Sequence, residues 1–135
     1  AASKAPPTPE QVVERYVQGS TALAATASEA LHRTAMGAAS AIHRLDEEGA
    51  PNDAILRAGH RGLERVRAVA TRSLGGLRSM TEGALRILHR IGAPIEFKNA
   101  VRLAAEGAVA AIRESAESAA GAIREAVDAA TAEGA

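Results

Sequence analysis

The amino-acid sequence predicts an all-α protein: an antiparallel, up-down-up bundle of three helices of about 40 residues each. No proline occurs between Pro9 and Pro51, and the tripeptide Gly-Ala-Pro occurs twice, at 49–51 and 92–94. Between these points apolar residues recur at steps of three and four, which is the period of a helix rather than of a strand. The sequence therefore predicts three long helices joined by two short loops.

The first helix has a complete set of start signals. Thr8 provides an N-cap hydroxyl, Pro9 suits the first helical position, and Gln11 completes a capping box. We expect this helix over 9–48. Residues 1–8 are expected to form a disordered N-terminal tail, followed by a single domain over 9–135.

Each Gly-Ala-Pro tripeptide ends one helix and begins the next. The glycine can adopt the left-handed conformation at the end of a helix, and the proline prevents continuation. The second helix is predicted over 53–91 with Asn52 or Asp53 as its N-cap, and the third over 94–133, opened by Pro94. Because short connections join long helices, neighbouring helices are expected to be antiparallel.

An eleven-residue repeat underlies the helical pattern. Ala-Leu-His-Arg at 30–33 recurs as Ala-Ile-His-Arg at 41–44, and Ala-Ile-Arg-Glu at 111–114 recurs at 122–125. Eleven residues make three turns of about 3.67 residues, so the apolar stripe runs nearly parallel to the helix axis. We expect a bundle that is straighter than a heptad coiled coil.

Composition excludes several classes of function. The 135 residues include 34 alanines but no cysteine and no tryptophan, and Tyr16 and Phe97 are the only aromatic residues. Thiolate chemistry is excluded, as is base stacking on aromatic side chains. The zero net charge predicts no nucleic-acid partner.

Without an apolar run of about 20 residues we expect no membrane span. No targeting signal is recognised at the start, and localisation stays undetermined.

Charge is distributed unevenly among the helices. The predicted second helix has eight arginines against three acidic residues, a balance of +5, whereas the first and third each sum to −3. The middle helix of an up-down-up bundle touches both others. This pattern favours the predicted neighbours over wrong pairings.

Nine glycines fall inside the predicted helices, where each costs about 1 kcal/mol relative to alanine. Aligning the helices through the loops places Gly37, Gly62 and Gly121 near one level, with Gly59 one turn away. Small residues can serve a close approach of two backbones, or they can clear a cavity for a small, flat, mainly apolar ligand. The residues predicted to bind such a ligand are Thr34, Gly37, Gly59, His60, Gly62, Ser73, Ser115 and Gly121.

The first helix carries few charges. Between Tyr16 and His43 only Glu29 and Arg33 are formally charged. A solvated helix normally has a charged outer face. Helix 1 is therefore a candidate surface for a homo-oligomer, the alternative being an alanine-rich surface that serves helix propensity. The uncharged outer positions are Ala25, His32, Met36 and Ser40.

His60 is the one histidine beside the apolar stripe, with Gly59 and Gly62 next to it. It could be an axial ligand of haem or another porphyrin, whose propionates would pair with Arg57, Arg61 or Arg65. The alternative is a boundary histidine with a local hydrogen bond. No other cofactor or metal is expected, and no arrangement of residues supports catalysis, so we predict a protein that is not an enzyme.

The eleven-residue repeats and proline-separated helices resemble the exchangeable apolipoproteins, which implies a role at lipid surfaces, although abundant lysine and large apolar faces are missing. Equal helix lengths, duplicated Gly-Ala-Pro loops, explicit caps and absent cysteine are more similar to de novo designed helical bundles. Mid-helix glycines are unusual for a design meant only to be stable. We therefore expect a designed, non-enzymatic bundle with a ligand in its Ala/Gly/Ser/Thr-lined interior. The alternatives are a structural or self-assembling bundle and a haem-binding bundle.

Overall fold

The computed structural model describes residues 5–132, which form three helices: α1 (Pro9–Glu47), α2 (Asn52–Arg90) and α3 (Ile95–Ala132). All three pairs of helices pack against one another, and the described residues contain no strand. The predicted all-α three-helix bundle is confirmed, with each described helix end within one residue of its predicted position. Residues 1–4 of the predicted tail, and residue 133 at the predicted end of helix 3, lie outside the described residues.

The start of α1 has the predicted capping box. The Gln11 backbone N–H donates to Thr8 Oγ1 at 3.1 Å, and the Thr8 backbone N–H donates to Gln11 Oε1 at 3.0 Å. Two backbone donors that the first helical turn leaves unpaired are thereby satisfied. The chain enters the bundle at a defined residue.

Both loops have the predicted glycine geometry. Gly49 and Gly92 have φ values of +75° and +67°, the left-handed region that favours glycine. In the first loop the Gly49 N–H donates to the Asp46 carbonyl and the Ala50 N–H to the Leu45 carbonyl. This pair of bonds is a Schellman motif, and the second loop repeats it two residues before Pro94.

The predicted cap of α2, Asn52 or Asp53, is wrong by one or two positions. Asn52 is already helical, and Pro51 occupies the N-cap position with an extended backbone and no side-chain hydrogen bond. The ring of Pro51 fixes φ at −67°, which lets the helix begin at the next residue without a capping side chain. Asn52 and Asp53 therefore lie in the first turn, where Asp53 interacts favourably with the helix dipole.

Side-chain contacts between helices establish their register. The Tyr16 hydroxyl bonds to Thr81 Oγ1 at 2.6 Å across α1 and α2. Because the Thr81 hydroxyl donates to the Leu77 carbonyl, Tyr16 is the donor in the bond to Thr81. Ser28 Oγ and Ser115 Oγ, also 2.6 Å apart, join α1 to α3. These contacts agree with the predicted levels to within about one helical turn.

The most deeply buried residues follow the eleven-residue repeat. In α3 the side chains of Val101, Ile112 and Ile123 are fully buried. Alanines occupy most of the buried positions between the large side chains, so the helices approach closely. The corresponding buried series are Ser20, Leu31 and Ile42 in α1, and Ile55, Val66, Leu77 and Leu88 in α2.

Candidate functional site

A long, shallow groove runs between α1 and α3. It consists of two adjoining depressions of about 450 and 480 Å³, both open to solvent, which share Ser28 and Ala111. The Ser28–Ser115 hydrogen bond lies along it. We call this feature the α1–α3 groove.

Small side chains line the α1–α3 groove. On α3 these are mainly Ala104, Gly107, Ala108, Ala111 and Ala122. Among the described residues that line the groove, Glu114 alone has a formal charge. Side chains that reach no further than Cβ leave both helix backbones close to the surface, so a helix of a partner could approach closely here.

Beside the groove, the outermost residues of α1 between positions 18 and 43 form a straight row that we call the α1 ridge; the same row continues at the exposed Glu14 and Glu47. All six are exposed, and Met36 has 56% of its surface accessible to solvent. The ridge contains one formal charge, that of Glu29, over about 39 Å of helix. Its members are Gln18, Ala25, Glu29, His32, Met36 and His43.

The structure does not bring the predicted ligand-binding residues together. Ser115 lies in the α1–α3 groove, whereas Ser73 lies in a separate depression between α1 and α2. The Thr34 hydroxyl is occupied by a 2.8 Å bond to the Ala30 carbonyl of its own helix. The hydroxyl groups of Thr34, Ser73 and Ser115 therefore do not converge on one site.

The four glycines of the predicted set divide in the same way. A Cβ added at Gly62 would lie 2.8 Å from Ala38 Cβ, and one added at Gly59 would lie 2.5 Å from Val127 Cγ2. At Gly37 and Gly121 an added Cβ would meet nothing within 4 Å. Gly37, Gly62 and Gly121 therefore do not surround one cavity. They share a level, but only Gly62 faces inward, where it is in close contact.

His60 points to solvent. Its side chain is 74% exposed, and Nε2 lies 3.0 Å from Glu64 Oε1 one turn along α2. Gly59 and Gly62 face the other two helices. The room left by their missing side chains therefore lies on the buried side of α2 and not around the imidazole of His60. The local partner agrees with the simpler interpretation of His60, and its position offers no axial ligand to the bundle interior.

Over residues 5–132, no three histidine or acidic side chains come close enough to hold a metal ion. Every buried side-chain nitrogen or oxygen in this range has a hydrogen-bond partner. Across the same range, no helical stretch combines the length and the apolar character that crossing a membrane requires.

Comparison with protein-family models, with curated proteins and with solved structures finds no match for this chain.

Sequence reasoning missed the contact between Ser28 and Ser115. A signal for it was present, since the loop-based alignment places residue 28 of helix 1 near residue 112 of helix 3, within one turn of Ser115. The α1 ridge was recognised only in part, at Ala25, His32 and Met36. Ser40, predicted for the same face, is exposed beside the ridge in a depression that it shares with Met36 and His43.

Proposed function

We propose that the protein is a non-enzymatic structural module that self-associates through the α1 ridge. The observation that carries this proposal is the exposure of Met36 in a nearly uncharged row beside a groove of small side chains. The repeated loop geometry and the equal helix lengths also support an idealised, designed origin for the bundle.

The partner in this proposal is a second copy of the chain. The members of the α1 ridge are spaced 7, 4, 3, 4 and 7 residues apart, so the row has the same spacing from either end. Two copies placed antiparallel about a two-fold axis would therefore bring each ridge residue i opposite ridge residue 61 − i, about the midpoint of the row. Such self-matching is what an isologous dimer requires.

Within the ridge, the residues that this symmetry brings together are complementary. Met36 would face Ala25 of the second copy, a large side chain against a small one. Glu29 would face His32 of the second copy, an acceptor against a donor. Gln18 and His43 would form the outer polar pairs. The symmetry places each of these three pairs twice along the contact.

The test is the oligomeric state of Met36→Glu. We expect the parent chain to be a dimer at high micromolar concentration and Met36→Glu to bind itself at least about tenfold more weakly, because a carboxylate would be desolvated opposite an alanine. Sedimentation equilibrium measures both. Leu103→Glu is the matched control, since Leu103 is 70% exposed on α3 and away from the ridge. A strictly monomeric parent, or equal weakening by the control, contradicts the proposal.

The antiparallel register has its own test. Glu29→Lys should weaken the dimer, and adding His32→Glu should restore it, because the introduced ammonium group would then face the introduced carboxylate of the second copy. A double variant as weak as the single one would argue against this register.

A small apolar ligand is the second candidate function, and one feature favours it. A solvent-open notch of about 310 Å³ lies between α1 and α2, lined mostly by apolar side chains, among them Tyr16, Met80 and Ile87. Gly83 borders it, and a Cβ there would meet nothing within 4 Å. Arg15 at the notch could pair with an anionic group on the ligand.

The probe for this candidate is anilinonaphthalene sulfonate, a flat apolar dye with one negative charge. We expect its fluorescence to rise on binding the parent chain and Gly83→Leu to abolish the rise by filling the notch. Gly121→Leu is the control, because Gly121 is equally open but lies on α3. The absence of any rise, or an equal rise in all three proteins, would rule out this notch as the site.

A further inference from the structure

The outer face of α2 carries the largest net charge of the three helices, with eight arginines against Asp53, Glu64 and Glu82. All eight arginines of the helix are exposed. No carboxylate oxygen of residues 5–132 lies within 4.0 Å of a guanidinium nitrogen of these arginines. The two ion pairs in this range both involve a histidine. Between residues 65 and 79 there are four arginines and no acidic residue. We call these four, Arg65, Arg67, Arg72 and Arg78, the arginine face.

Between these arginines the surface is small and flat. The exposed residues there reach no further than a threonine side chain, and two of them are adjacent glycines in mid-helix. A Cβ at Gly75 would meet nothing within 4 Å, and one at Gly76 would make only an ordinary contact with Leu23. Packing inside the bundle therefore does not explain Gly75, although glycine weakens a helix at such a position. A partner that approaches the helix backbone from outside would explain it.

We propose that the arginine face binds the phosphate backbone of a nucleic-acid duplex. The guanidinium group of arginine is a planar fork of donors that matches phosphate oxygens, and α2 has eight arginines and no lysine. The arginine face extends over about 20 Å of a straight helix. Such contacts to the backbone do not depend on base sequence.

Two other partners fit this surface less well. An amphipathic helix that binds a membrane needs large apolar side chains to insert, and the exposed residues between the arginines are Ala68, Thr71, Gly75, Gly76 and Ser79. The outer face of α3 in a second copy would offer no continuous negative row. There five of the six described acids adjoin an arginine: three lie four residues after one, in the pairs Arg102/Glu106, Arg113/Glu117 and Arg124/Asp128, and Glu114 and Glu125 directly follow Arg113 and Arg124.

The zero net charge of the chain does not prevent this binding. Charges are screened over about 8 Å at physiological ionic strength, whereas a three-helix bundle is about 20 Å across. The acidic residues on the outer faces of α1 and α3 therefore act weakly on a duplex held against α2. On the α1 side, the residues that share a depression with Arg72 are uncharged. The expectation of no nucleic-acid partner rested on the summed charge and not on its placement.

The experiment measures fluorescence anisotropy of a labelled random-sequence DNA duplex against salt concentration. We expect binding at low salt, with a slope of log affinity against log salt of about −3 to −4 for four phosphate contacts. The triple variant Arg67→Gln, Arg72→Gln, Arg78→Gln should lose at least about tenfold in affinity and reduce the slope by about 3.

The matched control removes the same three charges from α3, by Arg102→Gln, Arg113→Gln and Arg124→Gln, all of which are exposed. It should leave the affinity within about twofold. Equal losses in the two triple variants would show a net-charge effect and overturn the proposal, as would a parent chain that does not bind at low salt. Stronger binding to phosphatidylserine vesicles than to the duplex would assign the face to membranes instead.

The proposal is independent of self-association through α1. Met36→Glu, which should be monomeric, is expected to keep the salt slope of the parent, because the arginine face lies on a different helix. Loss of DNA binding in this variant would contradict that independence, whereas a monomeric parent that binds the duplex would remove the proposed dimer and leave this inference intact.

Discussion

Ile112→Ala is expected to lower the free energy of unfolding by about 2–5 kcal/mol. Ile112 is fully buried at mid-bundle and packs in one cluster with Leu77 and several alanines. Its neighbours Ala24, Ala27 and Ala108 have no flexible side chain that could move into the space left behind, so much of the cavity would persist. Urea unfolding followed by far-UV circular dichroism, at one fixed protein concentration, measures the change.

Leu103→Ala is the control for this substitution. Leu103 is on the same helix and 70% exposed, so its truncation should change the free energy of unfolding by no more than about 0.5 kcal/mol. If Ile112→Ala cost no more than the control, Ile112 would not belong to the packed core.

Gly62→Ala and Gly37→Ala are expected to change stability in opposite directions. The new Cβ at residue 62 would lie 2.8 Å from Ala38 Cβ and 3.2 Å from Ile123 Cδ1. The Ala38 methyl is attached directly to the backbone, so α1 and α2 would have to separate. Overpacking of this kind costs about 1–3 kcal/mol, which exceeds the gain of about 1 kcal/mol in helix propensity.

Gly37→Ala should instead stabilise the protein by about 0.5–1 kcal/mol, because the new methyl meets nothing within 4 Å and only the helix propensity changes. The same unfolding measurement compares the two variants. A more stable Gly62→Ala protein would mean that residue 62 borders free space, as the cavity interpretation of the sequence required.

Helix boundaries were predictable because their signals are local. The Thr8 capping box and the two glycine loops depend on hydrogen bonds and backbone angles within five or six residues. One local signal was misread: side-chain preference favoured Asn52 or Asp53 as the cap of α2, but the rigid ring of Pro51 already starts the helix. The eleven-residue burial pattern was equally accessible, because it depends only on the helical period.

The candidate ligand site was not predictable by the same means. Counting residues from a loop gives the height of a residue along the bundle, but it does not give the direction in which that residue faces. Gly37 of α1 and Gly62 of α2 lie at the same height, but Gly37 faces outward and Gly62 faces the neighbouring helices. Successive residues of a helix differ by about 100° in direction, so height alone does not give the direction. His60 illustrates the same point, since the two glycines beside it face the core and its own side chain is exposed.

The sequence by itself determined the number, length and order of the helices, their antiparallel arrangement and the repeat of the buried positions. Each of these follows from local conformational preference and from the helical period. Only the tertiary structure decided which small residues are in contact and which are open, because the rotation of each helix about its axis reflects the packing of all three together. It also decided how the charges are presented, since a summed charge of zero contains no information about their placement. In the folded chain all eight arginines of α2 are exposed, with no carboxylate oxygen of residues 5–132 within 4.0 Å.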